Sequence, residues 1–98
     1  MEKQEAYKEK MDAQIKELNA KIEELKAKVQ KSKAEAKIEY AQGVEALEEK
    51  RDDLKARLKK WSETGSESAE DLRKGIEEAF FDLKEAVKSA VARFKTEE

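Results

Sequence analysis

The chain has 98 residues, 47% of them charged and 38% hydrophobic, and its 22 Lys+Arg against 24 Asp+Glu leave a net charge of -2. Cysteine, histidine and proline are absent, which excludes disulfides, thiol nucleophiles, Cys/His zinc sites and histidine acid–base chemistry. Charges of both signs are interspersed, the pattern of a solvated helical surface and not of a cationic nucleic-acid binder.

The length suits one domain, residues 1–98. No run approaches the ~20 apolar residues of a membrane span. The first residues, Met1-Glu2-Lys3-Gln4-Glu5, lack the apolar core of a secretory signal. The expected location is therefore cytoplasmic.

The stretch from Tyr7 to Trp61 holds no proline and a single glycine, Gly43. Its apolar residues recur on one helix face: Tyr7, Met11, Leu18, Ile22, Leu25, Val29, then Ala36, Tyr40, Val44, Leu47. The spacing predicts one continuous helix over about residues 3–61, with the Tyr7–Trp61 stretch roughly 80 Å long. Up to Leu47 the period is eleven residues, as in Tyr7, Leu18, Val29, Tyr40, which favours a nearly straight or slightly right-handed coil. Beyond it, Leu47, Arg51, Leu54, Leu58 and Trp61 follow a heptad pattern, which favours a left-handed one. Two positions of the seam are charged, Lys33 and Arg51. The Lys33 stem can pack while its ammonium reaches water, and a polar seam residue such as Arg51 ordinarily sets register. Acid-before-base pairs four apart, Asp12–Lys16, Glu17–Lys21, Glu24–Lys28 and Asp53–Arg57, each add about 0.2–0.5 kcal/mol of local helicity. The segment Ala27 to Ala36 is the poorest part of the stripe.

Residues 62–68, Ser-Glu-Thr-Gly-Ser-Glu-Ser, predict the only break. Gly65 suits a left-handed C′ position. Thr64 with Glu67, and Ser68 with Asp71, match capping boxes, with Ser66 or Ser68 the expected N-cap. A second helix is predicted over about residues 69–95, with the stripe Ala69, Leu72, Ile76, Ala79, Phe80, Leu83, Val87, Ala90, Val91, Phe94. Residues 69–79 and 80–90 repeat one another in part, so the same face is presented twice. Gly75, Ala79, Ala86 and Ala90 flank that face and suit close helix packing in a bundle.

The predicted fold is all-α and coiled-coil: the second helix folds back on residues 36–61 as a helical hairpin. Its core would be Tyr40, Val44, Leu47, Leu54, Leu58, Trp61, Leu72, Ile76, Phe80, Leu83, Val87 and Phe94. The second helix is too short to reach Tyr7, Met11, Ile15, Leu18, Ile22, Leu25 and Val29. These predict a dimer seam, with two long helices antiparallel, crossing near Ser32 to Ala34, and a three-helix bundle at each end of an elongated homodimer. Arg51 would then meet Asp12 or Glu17 of the partner. Phe81 and Ile38 lie off the stripes and suit a second interface. Lysines 26, 28, 31, 33 and 37 make a mild basic cluster, read as a solvated face.

The segment Ala69-Glu70-Asp71-Leu72-Arg73-Lys74-Gly75-Ile76-Glu77-Glu78-Ala79-Phe80, with Asp82-Leu83-Lys84-Glu85-Ala86 and Ala92-Arg93-Phe94, resembles the C-terminal part of small bacterial coiled-coil proteins. Some cyanobacterial members of that group are described as stress-induced. The resemblance implies a helical, coiled-coil fold and a stress-related setting, and no catalytic residues. The eleven-residue period is also similar to that of apolipoproteins and late-embryogenesis desiccation proteins, in period alone.

No Gly-rich phosphate loop, Glu-x-x-His pair or acid–base–nucleophile set is present in the sequence. The expectation is a non-enzymatic structural or scaffolding protein without metal or cofactor. Its partners would be itself and an unidentified protein, with no nucleic acid and a membrane disfavoured. The competing reading is peripheral lipid binding through the amphipathic second helix. Against it, residues 62–98 carry six basic and ten acidic residues, net -4, which anionic lipid repels.

Overall fold

A computed structural model describes residues 3–64 and 69–96. It contains three helices in chain order: α1 (Lys3–Lys31), α2 (Ala34–Glu63) and α3 (Ala69–Thr96). The molecule is all-α, with no strand among the described residues. It measures 50 × 21 × 17 Å, shorter than a continuous helix of about 55 residues.

The predicted long helix is two helices. The chain reverses at Ser32 and Lys33, between α1 and α2. Lys33 is the N-cap of α2 with φ -65° and ψ 150°, and its side chain makes no capping hydrogen bond. The turn is closed by Ser32. Its N–H donates to the Val29 carbonyl at 3.1 Å, and its hydroxyl donates to the Lys28 carbonyl at 3.0 Å. No residue of the turn has a positive φ, so ordinary L-residues build it without strain. The lysine at a seam position thus stands in the turn, where no apolar side chain is required.

The fold-back covers the first half of the stripe inside one chain. Met11, Ile15, Leu18, Ile22, Leu25 and Val29 are all buried in one core with residues of α2 and α3, and Tyr7 packs against it. The residues expected to form a dimer seam are therefore covered without a second copy. Their burial is worth on the order of 10–20 kcal/mol before entropy costs, which explains why α1 docks instead of projecting.

α1 and α2 are antiparallel. Lys26 meets Glu48 at 3.6 Å, Arg51 meets Asn19, and Tyr7 meets Trp61. α2 and α3 are antiparallel too: Lys50 meets Asp82 at 2.6 Å, Arg93 meets Glu39 at 3.1 Å, and Phe94 meets Tyr40. Tyr40, Val44, Leu47, Leu54, Leu58, Trp61, Ile76, Leu83, Val87 and Phe94 are buried, and Leu72 and Phe80 are half-buried at the edge. Arg57 lies over Gly75, where a Cβ would meet its Nη1 at 3.1 Å. The small flank of α3 thus makes room for a neighbour in the same bundle; Ala79, Ala86 and Ala90 pack on the core beside it.

Thr64 closes α2 and does not open α3. Its N–H donates to the Trp61 carbonyl, and its hydroxyl donates to the Lys60 carbonyl at 2.6 Å. The expected roles of Gly65, Ser66 and Ser68, and the Glu67 half of the Thr64 capping box, lie outside the described residues.

Candidate interaction surfaces

Three features of the surface follow from how the bundle is phased. The first is the apolar surface that the core does not use. Ile38 on α2 is 69% exposed and Phe81 on α3 is 63% exposed. Each sits on the far side of its helix from the buried stripe, because a 3.6-residue period with one apolar face leaves the opposite positions to solvent. Phe81 lies beside Lys74, Glu77, Glu78 and Asp82 in a shallow depression. Aromatic residues are over-represented among interface anchors. Ile38 and Phe81 are thus placed at the surface, on different helices.

The second feature is the groove between α1 and α3, the least closely joined pair of helices. Leu18, Phe80, Val87 and Val91 line it, with Lys21, Lys84, Lys88, Glu17 and Glu24 at its edges. Sequence periodicity does not reveal this groove, since which pair of helices packs least tightly depends on how all three are arranged.

The third is the end of the bundle at the α1–α2 turn. Lys28, Lys31, Ser32, Lys33, Ala36, Tyr40 and Phe94 line a concavity there. The Tyr40 and Phe94 rings are 4.2 Å apart, and Tyr40 is buried with its hydroxyl unpaired among the described residues. Of the lysine cluster read along the chain, the turn gathers Lys28, Lys31 and Lys33 into a basic lip, while Lys26 pairs with Glu48.

At the opposite end, Tyr7 and Trp61 meet edge to face at 4.9 Å. The Arg73 guanidinium lies 4.5 Å above the Tyr7 ring. Burial, with Glu77 adding to it, raises the Tyr7 phenol above its usual value of 10.0, while Arg73 opposes the shift.

Arg51 finds its partners in its own chain. It donates to the Asn19 side-chain oxygen at 2.6 Å and pairs with Asp52 at 3.0 Å and Glu48 at 3.9 Å. The expected contacts with Asp12 or Glu17 of a second copy are replaced by this set, in which Arg51 ties α2 to α1. The Asp53–Arg57 pair forms at 2.8 Å, joined by Arg73–Glu77 at 3.5 Å.

Among the described residues no group of three or more acidic side chains is arranged to hold a metal ion. No helix among them is long and apolar enough to cross a membrane. Comparisons with protein-family models, with curated proteins and with solved structures found no match.

Proposed function

We propose that this chain is a non-enzymatic structural or scaffolding protein that presents helical surface to protein partners and self-associates as an antiparallel homodimer. The observation that carries the reading is the pairing of a closed core with large apolar residues left outside it, Phe81 and Ile38 above all. The bundle buries neither side chain, so both are free to contact another molecule. The resemblance to small bacterial coiled-coil proteins adds a stress-related setting. The lipid reading is less favoured, because the apolar face of α3, with Ile76, Leu83, Val87 and Phe94, is already buried.

The test is capture of partners from cells with the wild-type protein and with Phe81→Ser and Ile38→Ser. Surface substitutions of this kind ordinarily change stability by no more than about 0.5 kcal/mol. The expected outcome is an unchanged melting temperature and loss of a partner that the wild type retains. Retention of the same partners by both variants would remove the two residues from the interface.

A further inference from the structure

The break at Ser32 and Lys33 interrupts a pattern that the sequence continues. Val29, Ala36 and Tyr40 stand seven and eleven residues apart, in phase on one helix face. Two helices joined by a turn have no need of a shared phase, because each can rotate to aim its own stripe. A single helix running through the turn does need it. The turn is also minimal. Lys33 already has the φ of an α-helix, -65°, and only its ψ of 150° departs from helical values. No glycine, proline or positive φ holds the turn open, and Ala34, Glu35, Ala36 and Lys37 are good helix formers.

We propose that Ser32–Lys33 is a hinge through which two copies of this chain exchange α1. It rests on the self-association reading above and supplies its mechanism. Helical φ and ψ at Ser32 and Lys33 join α1 and α2 into one helix from Lys3 to Glu63, about 90 Å long. The N–H groups of Ser32, Lys33, Ala34, Glu35 and Ala36 then donate to the carbonyls of Lys28, Val29, Gln30, Lys31 and Ser32, completing the backbone ladder across the turn. α1 leaves its own α2 and α3 and docks on those of the second copy. Every core contact, Tyr7–Trp61 and Arg51–Asn19 included, is remade between chains. The occupant is therefore a second copy, chosen by complementarity that each chain carries within itself.

The experiment refolds the full chain from denaturant at low and at millimolar concentration and measures mass by light scattering. A second arm mixes Lys8→Cys copies with Lys59→Cys copies before refolding and adds a short thiol cross-linker; these positions lie at one concavity between α1 and α2. At high concentration, particles of twice 11.3 kDa are expected, and the two copies should cross-link. Lys33→Pro fits the φ and ψ of the turn but cannot sit within a continuous helix. It should lower the dimer fraction at least tenfold while keeping the helical signal. Two glycines inserted after Ser32 should do the same by breaking the phase. Ser32→Ala with Lys33→Ala should raise the dimer fraction. A dimer whose copies do not cross-link, or one that persists in Lys33→Pro and in the glycine insertion, would overturn the exchange and leave self-association standing. A monomer at every concentration, in the double alanine variant as well, would overturn both.

Discussion

Tyr7 shows how one residue couples packing to pH. Its phenol is raised above 10.0, chiefly by burial and next by Glu77, so the folded state favours the protonated ring more than the unfolded state does. That contribution to stability is complete below pH 10 and is lost as pH climbs through the raised folded-state value. Thermal unfolding followed from pH 8 upward should show a decline beginning above pH 10, and Tyr7→Phe should make it shallower. A wild-type profile that Tyr7→Phe leaves unchanged would show that the ring titrates as an exposed phenol. Much at this scale is legible in sequence. Phe81 and Ile38 are placed at the surface by phase alone. The partners of Arg51 are not, because they depend on which helix lies opposite. Lys33 is instructive: a lysine in an apolar seam has two explanations, a snorkelling stem or a turn, and nothing in its neighbours' propensities separates them.

The helices differ in how plainly they announce their ends. The start of α3 at Ala69 and the close of α2 at Glu63 sit beside residues 64–68, a cluster rich in Ser, Thr and Gly, so both boundaries are readable. The boundary between α1 and α2 lacks every such signal. Its only trace is the apolar-poor run from Ala27 to Ala36, and tertiary burial decides the matter by several times the cost of two uncapped helix ends. α3 gives a direct test of phase. Leu83 is fully buried, so Leu83→Ala should cost about 2–5 kcal/mol in denaturant unfolding. Phe81→Ala, two residues away, should cost less than about 0.5 kcal/mol. Equal losses would mean that α3 is rotated from the phase described.

At the scale of the whole molecule, each pair of antiparallel helices has its connection at one end and an aromatic contact at the other. α1 and α2 are joined through Ser32–Lys33 and meet again at Tyr7 and Trp61. α2 and α3 meet at Tyr40 and Phe94, far from the link between Glu63 and Ala69. Each aromatic contact therefore fastens one outer end of the chain, through Tyr7 or Phe94, to the central helix. Outer helical turns normally fray, and their amides exchange with solvent almost as fast as in an unfolded chain. Here the turns around Tyr7 and Phe94 should exchange slowly, opening together with the core. Phe94→Ala should release the last turns of α3 to fast deuterium uptake while the amides around Leu54 and Ile22 stay protected. The bundle would then be a body whose outer ends are sealed by rings.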